Sequence, residues 1–128
     1  MSEELFDKGM ATRKAVLGEA YVARAEANKT DFDADWQRYV AEHAWAAVWT
    51  RPGLEKRTRS MLTIAMLAAL GRLDELGAHI RATRNTGVTK DEVKEVLLQV
   101  AVYAGAPAAN SAFAVAKRVY KEMEGEAK

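Results

Sequence analysis

Apolar residues recur along this chain at three- and four-residue intervals, and no stretch alternates between hairpin turn signals. That pattern predicts helices and no sheet. Residues 3 to 28 read as a charged first helix with Phe6, Met10, Leu17 and Tyr21 on a broken stripe. So thin a stripe predicts a helix that rests on a neighbour or a partner subunit. Thr30-Asp31-Phe32-Asp33 offers several N-caps for a second helix reaching about Val48, with Phe32, Trp36, Tyr39, Val40 and His43 near one face. Arg51-Pro52-Gly53 ends it in a turn. A third helix is predicted from about Leu54 to Leu70. Its second half, Met61 to Leu70, is apolar all round except for Thr63, as suits the centre of a bundle or a subunit interface.

Gly71 is the expected stop for the third helix, and Gly87 the expected C′ residue of a fourth from Leu73 to about Thr86. The fourth carries a narrow stripe of Leu73, Leu76 and Ile80. The fifth begins at a capping box, Thr89 with Glu92, and buries Val93, Val96, Leu97, Val100, Ala101 and Ala104. Gly105 closes it, and Pro107 opens a sixth helix with Ala109, Ala112, Phe113, Ala116, Tyr120 and Met123 on its inner side. The expected fold is therefore all-α, about six helices in one domain over residues 1–128.

Composition narrows the chemistry. Alanine supplies 25 of the 128 residues, in keeping with helix. With no cysteine, thiol nucleophiles, disulfides and CxxC redox centres are excluded. A net charge of +1 gives no general footprint for nucleic acid or an anionic membrane. No apolar run reaches the roughly 18 residues of a span, and the acidic Met1-Ser2-Glu3-Glu4 start lacks the pattern of a secretory signal. A soluble, cytoplasmic domain is expected.

Six of the ten arginines, Arg51, Arg57, Arg59, Arg72, Arg81 and Arg84, fall within residues 51–84, where Lys56 is the sole lysine. Planar guanidinium forks suit carboxylates and phosphates, so the cluster reads as an anion site. It reads first as surface or intersubunit salt bridges to Glu55, Asp74 and Glu75. On the fourth helix Arg72, Glu75, His79 and Thr83 share a side displaced by roughly 90° from the apolar stripe. Glu75 and His79 at i and i+4 are placed to hydrogen-bond. That would raise the imidazole pKa and keep a proton available, or it is an ordinary surface pair. His43 sits among aromatic residues and reads first as a satisfied core or interface histidine. Two histidines 36 residues apart, without HxxxH or ExxH spacing, are a poor metal site. Trp45 and Trp49 either pack in the core or wall a pocket beside Arg51.

Several of these blocks resemble the 4-carboxymuconolactone decarboxylases. They are Trp45-Ala-Ala-Val-Trp49-Thr-Arg51-Pro52-Gly53-Leu54, Ile64 to Arg72, His79-Ile-Arg81-Ala-Thr-Arg84-Asn85-Thr86-Gly87, and Tyr103-Ala-Gly-Ala-Pro-Ala-Ala-Asn110. The wider superfamily includes thiol peroxidases similar to alkylhydroperoxidase D, with CxxC and a histidine four residues on. Here Arg72 and Glu75 fill the cysteine slots and His79 matches the histidine, so a cation and a carboxylate replace the thiols. Ser60 stands where the redox relatives often carry glutamate.

The resemblance implies an alkylhydroperoxidase D-like helical fold and a step of protocatechuate breakdown in the β-ketoadipate pathway. In that step 4-carboxymuconolactone loses carbon dioxide and gives β-ketoadipate enol-lactone, with no cofactor or metal. The expected roles are proton donation by His79, orientation of His79 by Glu75, and stabilisation of the enolate or departing carboxylate by Arg72. Arg51 is expected to hold the acetate arm, with Arg57 or Arg59 as second choices, while Trp45 and Trp49 form an apolar wall. The resemblance also implies a homo-oligomer, a hexameric ring built as a trimer of dimers.

Rival readings are a same-superfamily enzyme for another lactone or carboxylic acid and a non-catalytic helical assembly protein. A nucleic-acid-binding role is disfavoured, because the exposed face of the fifth helix sets Asp91, Glu92 and Glu95 against Lys90 and Lys94.

Overall fold

The computed structural model describes residues 2–126, and among these every regular element is helical. The expected all-α class holds. The chain falls into two compact units, a first up to Lys56 and a second from Arg57.

In the first unit, the single helix expected over residues 3–28 is two. They are α1 (Glu3–Leu17) and α2 (Glu19–Ala27), parted at Gly18, whose φ of 97° is open to glycine and strained for other residues. The buried side of α1 is not the stripe of large residues. It is Gly9, Thr12, Arg13, Val16 and Leu17, a face of mostly small side chains that lets the backbones close up. A Cβ on Gly9 would collide with the carbonyl oxygen of Ala41.

The second expected helix is also composite. Asp33 accepts the Thr30 N–H at 2.8 Å ahead of α3 (Ala34–Val40). The path then widens into a π-helical turn, Ala41–Ala46, with the i+5 bonds Ala47 N–H to Glu42 at 3.1 Å and Trp49 N–H to Ala44 at 3.0 Å. Its expected apolar face does not enter a core. Phe32 is 98% exposed, and Trp36 and Tyr39 are more than half exposed. Seven residues of α3 are too few to bury a broad face, and the widened turn brings Ala41, Trp45 and Ala46 inward instead.

Apart from the first residue of α4, the second unit holds α4 (Lys56–Leu70), α5 (Leu73–Arg81), α6 (Thr83–Thr86), α7 (Lys90–Ala104) and α8 (Ala106–Glu126). The predicted breaks stand: Gly71, Gly87 and Gly105 all take positive φ. The capping box is complete, with Glu92 N–H donating to the Thr89 hydroxyl at 3.1 Å and Thr89 N–H to the Glu92 carboxylate at 2.9 Å. One core joins Ile64 and Ala68 of α4, Leu76 and Ile80 of α5, Val93, Leu97 and Val100 of α7, and Ala112, Val115, Ala116 and Val119 of α8. Helix α4 is not surrounded: Ile64 and Ala68 are buried, but Leu62, Met66 and Leu70 on its other flank are exposed. No helix among the described residues is long and apolar enough to cross a membrane.

Candidate functional site

Helix α5 carries the densest polar chemistry. Gly71 turns the chain out of α4, and Arg72 takes the N-cap position, its N–H bound to the Leu67 carbonyl at 2.9 Å and its own carbonyl accepting Leu76 N–H at 2.9 Å. The turn thus fixes where Arg72 and Glu75 start. Leu76 and Ile80, wholly buried, then lock the rotation of the helix, and His79 follows on the adjoining side one turn after Glu75.

The three residues differ in setting. Arg72 and Glu75 are exposed, and Arg72 forms no ion pair among the described residues. Glu75 lies in the first turn, where the helix dipole favours a carboxylate. His79 is largely buried, and burial alone pushes its imidazole from the usual 6.5 down to about 4. The expectation that Glu75 raises this pKa is therefore corrected. The carboxylate stays in water, where its charge is screened, while the imidazole is desolvated by burial. His79 is a neutral imidazole at neutral pH.

Behind α5, the buried Ser60 hydroxyl accepts the Thr86 hydroxyl at 3.0 Å and ties α4 to α6. Thr83 donates to the Ile80 carbonyl at 2.6 Å. Both fix the chain just past His79 without an ionisable group.

The arginines of residues 51–84 divide. Arg57 is held by the capping carboxylate Glu92, which commits it to joining α4 with α7. Arg81 reaches Glu122 at 2.7 Å and Glu126 at 2.5 Å, and Arg84 reaches Glu126 at 3.2 Å. The salt-bridge reading is thus right for half of the cluster, with partners on α7 and α8 in place of Glu55, Asp74 and Glu75. Arg59 is half-buried on α4, and Arg51 is exposed on the turn after the π-helical segment.

In the first unit Trp45 and Trp49 stack with ring centroids 5.1 Å apart and are buried, as core aromatics are. His43 is exposed, not core. Its ring stacks on Tyr39 at 4.3 Å, and its Nδ1 lies 3.1 Å from the Tyr39 carbonyl. The sequence reading missed Arg13, which is only 8% exposed on the inner face of α1. Its spacing gave the signal: Gly9, Thr12, Arg13, Val16 and Leu17 repeat at i, i+3, i+4, i+7 and i+8.

A cavity of about 380 Å³ lies between α7 and α8, floored by Val93, Leu97 and Phe113 and rimmed by lysines. None of the site residues expected from sequence lines it. No group of acidic or histidine side chains among the described residues is arranged to hold a metal.

Residues 34–118 match the carboxymuconolactone decarboxylase family. The chain belongs to that family. The matched segment contains Trp45, Trp49, Arg51, Arg72, Glu75 and His79. The 4-carboxymuconolactone decarboxylase of Acinetobacter baylyi is 49% identical over 94% of this chain and 90% of its own length. The nitrosuccinic acid decarboxylase of Metarhizium robertsii is 40% identical over 96% of this chain and 86% of its own. A 4-carboxymuconolactone decarboxylase of Pseudomonas putida is 38% identical over a shorter stretch, 33% of this chain. Both relatives that match over most of this chain are named as decarboxylases.

Proposed function

We propose that this protein is a carboxy-lyase that converts 4-carboxymuconolactone to β-ketoadipate enol-lactone and carbon dioxide. The observation that carries the reading is the 49% identity over nearly the whole chain to a decarboxylase of that substrate. The bond from the γ-carbon to its carboxylate breaks, and the electron pair passes into the conjugated lactone as an oxyfuran-like anion. One proton added at the carbon α to the carbonyl gives the product. The protein's tasks are to hold the acetate arm, stabilise the developing oxyanion and supply that proton.

His79 is the proposed proton donor, in a form set by its burial. With no ligand the imidazole is neutral, and its N–H serves as a hydrogen-bond donor to the oxyanion. A bound polycarboxylate brings negative charge beside it, which favours the imidazolium, so the proton arrives with the substrate. Arg72, exposed and without an ion pair among the described residues, is the proposed stabiliser of the enolate oxygen or the leaving carboxylate. Glu75 would act only once substrate excludes water from the face it shares with His79. Arg51 is the proposed acetate anchor and Arg59 its alternate, whereas Arg57 is occupied by Glu92.

His79→Ala is expected to lower kcat about a hundredfold or more with little change in KM, and Arg51→Ala to raise KM. A His79→Ala enzyme with undiminished kcat would remove the proton-donor role and leave the function standing.

A second reading is kept because of the nitrosuccinic acid decarboxylase relative. Nitrosuccinic acid also loses a carboxylate beside a group that accepts the electron pair, so the same residues suit both acids. Comparing kcat/KM for the two acids separates the readings. A higher value for nitrosuccinic acid would overturn the lactone assignment.

We also propose a cytoplasmic homo-oligomer, in keeping with the expected hexamer. Leu62, Met66 and Leu70 on α4 and Val102 and Tyr103 on α7 are exposed. Such apolar surface is typical of subunit interfaces.

A further inference from the structure

The cavity of about 380 Å³ between α7 and α8 takes no part in the proposed reaction, and every residue that lines it belongs to the second unit. It runs along the first half of α7 and the later part of α8, away from the Gly105 turn that joins them. Val93 and Ala116 are too small to fill the space between the two helices, and the volume lies within the range of small-molecule sites, about 300–1,000 Å³. The walls are apolar. Val93 and Leu97 form the floor, and the half-buried Phe113 and Tyr120 add two rings. The Tyr120 hydroxyl is enclosed beside Thr83, a residue that does not line the cavity. The cavity therefore meets the ring of Tyr120 and not its oxygen.

The rim has the opposite character. Lys90 and Lys94 stand one turn apart on α7, as do Lys117 and Lys121 on α8, against two carboxylates, Asp91 and Glu124. Asp91 lies 3.9 Å from Lys94 in a loose, exposed pair, and Lys90 rests over the Tyr120 ring with its Nζ 5.3 Å from the centroid. Lys117 and Lys121 form no ion pair among the described residues. Like charges one turn apart disfavour each helix, and an anion held between the helices relieves that repulsion. Apolar walls beside the ammonium groups strengthen their attraction for it. Lysine is a mobile point charge, so it can follow an anion whose position is set by the walls.

We propose that this cavity is a second small-molecule site that takes an aromatic monocarboxylate, its flat ring system against Phe113 and Tyr120 and its carboxylate among the rim lysines. An alkyl acid would fill the volume without stacking on either ring, and a small hydrophilic anion would leave the apolar floor empty. The site is independent of the decarboxylase reading, since His79, Arg72 and Arg51 do not line it. It is also clear of the exposed Val102 and Tyr103, which stand about 20 Å further along α7 than Lys90 by helix rise.

Calorimetric titration of the full chain with 2-naphthoate tests the proposal, with 2-naphthylmethanol, octanoate and inorganic phosphate as comparisons. Wild type is expected to bind naphthoate at least about tenfold more tightly than each of the three. Lys117→Gln with Lys121→Gln, both at exposed positions, is expected to weaken naphthoate binding at least about tenfold. Ala116→Leu, which fills the floor, is expected to abolish binding with the helical signal kept. Arg51→Ala with Arg72→Ala, altered only in the proposed reaction site, is expected to bind naphthoate as wild type does.

A wild type that binds no naphthoate would overturn the proposal, as would binding that survives the lysine substitutions undiminished. Binding lost in the double arginine variant would overturn it too, by placing the acid in the reaction site. Octanoate or phosphate bound as tightly as naphthoate would remove the aromatic assignment, and 2-naphthylmethanol bound as tightly would remove the anionic one. A lysine or Ala116→Leu variant of lowered oligomeric mass would make the cavity a contact between copies of this chain, again against the proposal. Should the Ala116→Leu chain not fold, the lysine pair decides.

Discussion

His79 shows how burial decides what a residue can do. Its helical phase was legible, because Leu76 and Ile80 fix the side of α5 that faces the core. The sign of its pKa shift was not. Spacing places Glu75 one turn away, but only the fold shows that one group is in water and the other is not. The shift has a consequence for stability. The folded state holds His79 neutral down to about pH 4, whereas the unfolded chain protonates near 6.5. The unfolded state therefore binds the extra proton between those values, and stability falls as pH drops from about 6.5 towards 4. Urea midpoints at pH 7 and pH 4.5 should fall further for wild type than for His79→Gln. Equal losses in the two proteins would show that the imidazole does not titrate this way. Arg13 was missed for a related reason. A search for large apolar residues passes over a face built from glycine, threonine and arginine.

At the scale of elements, glycines and caps were readable wherever the cause is local. Gly71, Gly87 and Gly105 stop helices because each takes a positive φ, and the Thr89–Glu92 box starts α7 through its own backbone. Thr89→Ala should cost about 1 kcal/mol, measured by urea denaturation. The break at Gly18 and the π-helical turn over Ala41–Ala46 escaped the sequence reading. The apolar period runs on through both, and the turn is set by the packing of α1, which is non-local. Gly9 is the residue that allows that packing. Gly9→Ala should destabilise the chain by about 1–3 kcal/mol, because the added Cβ meets the Ala41 backbone. Gly125→Ala, with open space around it, should change little. Equal effects of the two substitutions would show that the close approach of α1 and Ala41 is unimportant.

At the scale of the whole molecule, the all-α class followed from periodicity and alanine content, while the family followed from the blocks around Trp49, His79 and Tyr103. The ion-pair partners did not follow, since Glu92, Glu122 and Glu126 reach Arg57, Arg81 and Arg84 only through the packing of α7 and α8. The exposed flank of α4 gives the oligomer proposal a direct check. Leu62→Glu with Met66→Glu should lower the mass measured by light scattering while leaving the helical signal intact, and an unchanged mass would place the subunit contact elsewhere.

Decarboxylation is the activity on which the proposed roles of His79, Arg72 and Arg51 all rest. The most direct measurement is carbon dioxide release, followed with the loss of ultraviolet absorbance, when purified protein meets 4-carboxymuconolactone generated in situ. Rapid release dependent on the protein, with enol-lactone formed in equal amount, is the predicted result. A folded protein that leaves the rate at its spontaneous value would contradict the account.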